Sequence, residues 1–455
     1  MDETMRGRGA LAGLLFGAAL VVTSPRLAAA QQPAAAKQAP AAAQQPAAPE
    51  SVTLEQAVRL ALEHSPTMVQ AEGGIRNADA AQRSAVGAFL PSLSLSAGSS
   101  LASSDRYNSA TNTVISGASR RSYNAGVSSS VDLYTGGRHT AELNRAKANG
   151  DAADANLVAQ RFSVTLQAQN AFFDVLRAGE LARVAQSQLQ TAQEGQAAAE
   201  QRLKVGSATR SDVLRSQLAV TQAKQALSQA QSQERAAQFA LGRLVGTTAP
   251  VAATAPPSLE PKPLAIPPEE LAAMVQSQAP VVTAAAADVK AGQAGVKVAR
   301  AQYLPTLRLS GGYNWLNQQF GFDNLQGSWS VGLGISLPVF NGFQREQQVE
   351  QASVQEDVAR AQLEDAQRGV RADLEKALAG LSNAEQQIEL SQQAVQVAEE
   401  DLRVQRERYR LGASTILDQV TSQQNLAEAQ KNLVNARYDY QIARAQVEAL
   451  VGRSL

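Results

Sequence analysis

The apolar positions of this chain follow two rhythms. From Arg138 to Lys204, and again from Gln344 to Arg410, no proline interrupts a run in which apolar residues recur every three or four positions. In the second run Val370, Leu374, Ala377, Leu381, Ala384, Ile388, Val395, Ala398, Leu402 and Tyr409 keep that spacing. In the first run Leu157, Val164, Ala168, Ala171, Val175, Ala178, Ala185, Leu189, Ala192 and Leu203 keep the same register. The spacing predicts two very long helices, over 138–204 and 344–410, with a coiled-coil seam built from small side chains. Before each long helix the rhythm changes to alternation: "LSLSA" and "YNAGVSSSVDL", then "LRLSGGYNW" and "WSVGLGISLPVF". Period-two spacing predicts strands, over about 92–134 and about 306–340.

The two halves are one unit written twice. Set 206 positions apart, Arg202/Arg408, Gly206/Gly412, Thr209/Thr415, Asp212/Asp418, Ser216/Ser422 and Leu227/Leu433 match, and "LYTGG" falls on "VFNGF". Upstream the offset is 214, where "FLPSLSLSAG" falls on "YLPTLRLSGG" and Pro66 on Pro280. This is far longer than a solenoid repeat. The eight-residue slip falls between Gly98 and Gly126, and a loop is the expected place for it. Each copy reads as a helix broken by proline, two strands, the long helix and a shorter helix, over 51–246 and 268–452. Ser65 is an expected cap before Pro66 at the first helical position.

Lengths constrain how the unit is laid out. A 67-residue helix spans about 100 Å. The shorter helices, Pro66 to about Phe89 and about Asp212–Gly246, together nearly match it when stacked end to end. The Pro-rich linker at 247–267 then falls at a mid-length waist. The matched Gly–Thr–Asp turns lie at the tip far from the strands.

The strands carry a thin apolar face, which includes both Trp residues, opposite a face of Ser, Asn and Gly. That suits strands with lipid on one side and water on the other; a small soluble sheet packed on the helices is the alternative. Four strands have open edges and cannot close alone. About twelve strands begin to leave a lumen, so three chains are the smallest assembly with an open pore.

Composition narrows the rest. Arg6 and Arg8, the apolar run "ALAGLLFGAALVV" and "AAA" at 28–30 read as a secretory signal over 1–30, with Met1 and Met5 both candidate starts. An aperiodic Ala/Pro/Gln tract over 31–50 reads as a disordered linker. Lys plus Arg and Asp plus Glu both number 41, so no nucleic-acid partner is implied, and Cys is absent. His64 and His139 stand in no metal or catalytic spacing, and no nucleophile elbow or phosphate loop occurs. The reading is of a non-enzyme without cofactor.

"LEQAVRLALEHSP", "FLPSLSLSAG", "LYTGGRHTAELNRAKA" and "LKVGSATRSDVL", with their second set, resemble the TolC-like outer-membrane efflux proteins from about Ser51 to Gly452. The resemblance implies a mostly α fold with a small β part. It further implies a homotrimer: a 12-stranded barrel in outer-membrane lipid continued by an α-helical coiled-coil tunnel across the periplasm. The implied function is the exit duct of a tripartite efflux or type I secretion system, docked by a periplasmic adaptor and an inner-membrane pump. The alternative is a periplasmic coiled-coil adaptor or scaffold. Drugs, metals, lipids and polypeptides all remain open as cargo.

The tip turns have two readings that coexist. Gly206 and Gly412 can end a helix in the left-handed conformation, and Thr209 and Thr415 can cap the next, with Asp212 and Asp418 as acidic partners three residues on. The resemblance adds that Asp418, and with it Asp212, narrows the periplasmic entrance. Tyr409 matches a gate aromatic, Thr421 stands where some members have a second acid, and Ser414 stands where a closing Arg is found. Gly206, Ser207, Thr209, Gly412, Ala413 and Thr415 are then the turns that receive the adaptor.

Overall fold

A computed structural model describes residues 50–453, apart from 262–265, 322, 324 and 325. The expected signal and nearly all of the expected linker lie outside the described residues. The chain then runs β1 (Glu50–Val52), α1 (Leu54–His64), α2 (Pro66–Gly87), β2 (Ser92–Asn108), β3 (Thr113–Tyr134), α3 (Arg138–Lys204) and α4 (Arg210–Leu244). The second half holds β4 (Val251–Ala253), α5 (Pro268–Gln278), α6 (Pro280–Arg300), β5 (Thr306–Asn317), β6 (Gln326–Ser336), α7 (Gln344–Arg410) and α8 (Ile416–Val451). The duplicated helix–strand–strand–long helix–helix unit expected from the sequence is present.

The two 67-residue helices are the spine. α2 and α4 both pack on α3, α6 packs between α3 and α7, and α8 packs on α7 and α3. The seam is made as the spacing demands: Val164, Ala168, Val175, Ala185, Leu189 and Ala192 of α3 are buried, as are Val370, Leu374, Leu381, Ile388 and Leu402 of α7. Alanine at so many contact positions lets helix backbones approach closely. Leu203 departs from the expected seam and is exposed, because α3 stops one residue later.

Bulk is concentrated at the waist. Phe172 and Phe173 of α3 meet edge to face, their centroids 5.7 Å apart. With Val52, Ala57, Leu241, Val251 and Tyr438 they form one buried cluster. Two features there were not foreseen. β1 and β4 pair in parallel, Glu50 to Val251 through Val52 to Ala253, so the Pro-rich linker and the start of the described residues are tied by a ladder. Ser65 makes no side-chain cap; its hydroxyl instead lies 2.8 Å from that of Thr67.

The four long strands form one antiparallel sheet in the order β2-β3-β5-β6. Register puts the apolar residues in rows that cross it. Leu95 faces Val127, which faces Tyr313, which faces Trp329; Val131, Leu309 and Leu333 form another row. The opposite face repeats serine, with Ser92–Ser130 and Ser94–Ser128 hydroxyls 3.0 and 2.7 Å apart. No helix packs broadly on the described sheet, and Leu95, Trp329 and Ile335 are three-quarters exposed or more.

The eight-residue excess of the first copy is in the strands rather than a loop. β2 and β3 have 17 and 22 residues against 12 and 11 in β5 and β6. Above Tyr123, β3 has only β2 as a partner, so a two-stranded ribbon of about 30 Å extends past the sheet. A hairpin arm can absorb an even insertion without turning any side chain to the other face. β6 stops at Ser336, short of the expected 340, because Pro338 cannot donate to a ladder.

Each strand-to-helix joint uses an aromatic ring from just before the hairpin. Arg345 lies over the Tyr303 ring, 4.8 Å from its centroid, and donates to the carbonyls of Pro338 and Val339 at 2.8 and 3.0 Å. The matching pair in the first copy is His139 against Phe89, centroids 5.4 Å apart. Between copies, Arg308 of β5 grips Asp132 of β3 at 2.6 and 3.3 Å. At Gly136 (φ +63) a Cβ would sit 2.5 Å from that of Leu304 and 2.8 Å from the carbonyl oxygen of Ala301. Only glycine permits that approach.

Phe172 is 1% exposed. Its replacement by alanine should cost about 3–5 kcal/mol, read as a lowered midpoint of thermal unfolding. Val69→Ala, on an exposed face of α2, should leave that midpoint nearly unchanged.

Candidate functional site

Both long helices end in the same way. At the end of α3, Gly206 takes φ +74, its N–H bonds to the Leu203 carbonyl at 3.0 Å, and the Ser207 N–H bonds to that of Arg202 at 2.8 Å. At the end of α7, Gly412 takes φ +77, with N–H bonds from Gly412 to Tyr409 at 3.1 Å and from Ala413 to Arg408 at 2.8 Å. These bonds satisfy the last helical carbonyls. The next helix starts on a closed capping box in each case. The Asp212 carboxylate accepts from the N–H and the hydroxyl of Thr209, both at 2.8 Å, and the Asp212 N–H returns a bond to that hydroxyl at 3.2 Å. Asp418 does the same with Thr415 at 2.9, 2.8 and 3.3 Å.

The two caps differ in setting. Asp212 is half-buried, while Asp418 is exposed, as is Thr421. The Thr415 N–H, and after it the Thr415 hydroxyl, hold the Asp418 carboxyl below the usual carboxylate range, with a smaller contribution from Arg408. A depressed folded-state value means that the cap contributes fully above the ordinary carboxylate range and is lost as pH falls through the lowered value. Asp418 therefore carries its charge throughout the neutral and mildly acidic range.

Tyr409 faces inward rather than toward solvent. It is 7% exposed, and the Arg202 guanidinium lies over its ring, 4.5 Å from the centroid. Burial pushes the phenol up, the Asp212 charge adds to that, and Arg202 opposes it. Arg202 also donates to the Tyr409 carbonyl and, at 3.2 Å, to that of Ser207. One side chain thus ties the first tip turn to the end of α7. Its repeat-mate Arg408 reaches only its own turn, at the Ala413 carbonyl, 3.3 Å away. Sequence reasoning paired Arg202 with Arg408 but assigned neither a role. The signal was an arginine in both copies, and nothing in the pattern says which copy reaches across.

The other flanking charges are local. Arg410 pairs with Glu407 at 2.9 Å, and the Ser414 hydroxyl donates only to the Thr415 carbonyl at 3.5 Å. A groove of 690 Å³ runs between the two hairpins, lined by Gly195, Arg202, Ser207, Tyr409, Gly412 and Gln419 among others. Among the described residues no group of three or more His, Cys, Asp or Glu side chains could hold a metal ion, and no helix is long and apolar enough to cross a membrane.

A family model described as outer membrane efflux protein matches residues 57–247 and 271–453. The chain is 29% identical to the outer membrane protein TolC of Vibrio cholerae over 160 residues, which are 34% of this chain and 36% of that protein. It is 25% identical to the outer membrane efflux protein BepC of Brucella suis over 313 residues, 67% of this chain and 68% of that one. With most of the curated relatives it matches, the alignment spans about a third of their length or less. Among solved structures, the CmeC outer membrane channel of Campylobacter jejuni superposes with a TM-score of 0.76 at 20% identity, covering 88% of this chain and 85% of that one.

Thr415→Ala removes the hydroxyl from the box and should weaken the start of α8 by about 1 kcal/mol. The expected reading is faster amide exchange over 416–420, with the middle of α8 unchanged. Thr421→Ala, which touches no cap, should leave exchange there as it was.

Proposed function

This chain belongs to the outer membrane efflux protein family, and from that premise we propose that it is the exit duct of a tripartite efflux or type I secretion system. It conducts cargo passively from a periplasmic adaptor and inner-membrane pump to the exterior. The observation that carries this reading is the sheet. Its apolar rows lie bare on one face, serine covers the other, and both edge strands lack partners. Strands of 11 or 12 residues, tilted as in barrels, rise about 30 Å, which suits the outer membrane. Three copies joined edge to edge supply twelve strands and an open lumen. The long helices continue each copy into a tunnel of about 100 Å.

A periplasmic adaptor would have no use for a bare apolar sheet of this width, so that alternative has nothing in its favour. The family is one of efflux proteins and not of enzymes.

At the tip, the exposed carboxylate of Asp418 is the candidate for the constriction. Around a threefold axis it becomes a ring of three negative charges, which favours cations and repels anions. Asp212 is the second candidate, and Thr421 adds no charge one turn on. Tyr409 serves the same gate from inside, as the platform on which Arg202 rests. The turns at Gly206–Thr209 and Gly412–Thr415 are the surface offered to the adaptor.

Two outcomes test this. The mature protein, extracted in mild detergent from the membrane fraction, should have the native mass of three protomers; a soluble periplasmic monomer would remove the duct reading. In planar bilayers, Asp418→Asn retains a cap acceptor but loses the charge, and should weaken cation preference and alter the small conductance of the closed pore, as should Asp418→Ala. Unchanged selectivity in both would leave Asp418 as a cap only.

A further inference from the structure

The connection between β5 and β6 does not continue past the sheet as the β2–β3 ribbon does. It bends onto the face that carries the apolar rows. The Asn317 side-chain amide donates to the carbonyls of Gly321 and Asp323 at 3.0 and 2.9 Å. The Phe320 ring meets that of Tyr123 edge to face, centroids 5.5 Å apart. Tyr123 pairs with Asn317, and the register puts both on the face of Val127, Tyr313 and Trp315. The bend buries Asn317 yet leaves Phe320 89% exposed. Closing a hairpin in water gives no reason to hold a phenylalanine out in this way.

Height gives the reason. The stretch of β3 from Tyr134 to Tyr123 runs about 37 Å along the strand, and about 28 Å of rise once tilted as in a barrel. That is close to the apolar band of an outer-membrane barrel. Phe340 and Phe343, exposed and edge to face, lie at the end near the long helices. Tyr313, Trp315 and Trp329 lie toward the other end. Just beyond the band, on the same face as Tyr123, stands Arg121, opposite Leu101 of β2. Both are exposed, and Arg121 is in no ion pair among the described residues. Arg308, by contrast, is on the serine face and neutralised by Asp132.

We propose that Leu101, Arg121, Tyr123 and Phe320 form a site for a phosphate-bearing lipid of the outer leaflet. The proposal rests on the outer-membrane reading above, which sets the apolar face in lipid. The Arg121 guanidinium offers a planar fork of donors to phosphate oxygens. Leu101 and the Phe320–Tyr123 pair receive the head of an acyl chain, at the depth where aromatic rings settle between hydrocarbon and headgroup. A cation on the lipid-facing surface costs least near this level and most at mid-bilayer, and here it meets an opposite charge. The site is continuous with the apolar rows below it, so one lipid can touch both. β6, the counterpart of β3 in the second copy, carries no charged residue. Each protomer therefore has one such site.

Native mass spectrometry of the delipidated full-length protein in detergent, titrated with lipid A, tests this. Lipid A is a diphosphorylated glycolipid of the outer leaflet, and bound copies should be counted up to one per protomer. Arg121→Gln should lower their occupancy about tenfold, as for one lost hydrogen bond to a charged group. Phe320→Ser should lower it less, and dephosphorylated lipid A should bind the unaltered protein weakly. Arg83→Gln, on an exposed face of α2, should change nothing. Lipid A held equally by the unaltered protein and either site variant overturns the site. Its release by excess inorganic phosphate would mark an anion site alone and overturns the lipid. Both results leave the assembly mass and the duct reading intact, whereas a soluble monomer overturns that reading instead.

Discussion

Four strands end in two rows of backbone N–H and C=O groups with no partner, and in hydrocarbon each such group costs several kcal/mol. That constraint organises everything else. A lone protomer would leave both rows bare in lipid, which is why the proposed duct requires closure with other copies. In the proposed trimer, closure sets a circle of strands, the circle sets where each long helix begins, and the helices below meet side by side around the same axis.

The helical part answers a different requirement, length with little bulk. Alanine-rich seams keep the helices close and thin, and large side chains are gathered at the waist around Phe172, Leu241 and Tyr438. There the chain changes from one pair of short helices to the other, and the β1–β4 ladder ties the join. At the far end the capping boxes stop the helices sharply. Arg202 binds one hairpin to the other.

Much of this was legible in the sequence because helices of 67 residues leave a periodicity that no short-range accident imitates. The Gly–Thr–Asp caps were legible for the same reason, since each residue type answers a local backbone need. What escaped was non-local. Nothing in "ESV" and "VAA" announces that they will pair across the waist, for three-residue strands carry no period. Ser65 looked like a cap, but Thr67 takes its hydroxyl. The inserted residues between Gly98 and Gly126 looked like a loop because loops are where a change of length is expected; a two-stranded ribbon that pairs only with itself accepts one equally well. Tyr409 was visible as an aromatic at the gate, but its inward orientation under Arg202 depends on the neighbouring hairpin.

That ribbon shows where the two halves of a duplicated gene are free to part company. Below Tyr123, β3 is held by β2 on one side and β5 on the other, so a change of length there would have to be matched in its neighbours. Above it, β2 and β3 answer only to each other. The first copy could lengthen there without disturbing the four-stranded sheet, and the second had no need to follow. The end of the sheet away from the long helices is thus where the two copies differ most in strand length, and it is where related chains are expected to differ most in length.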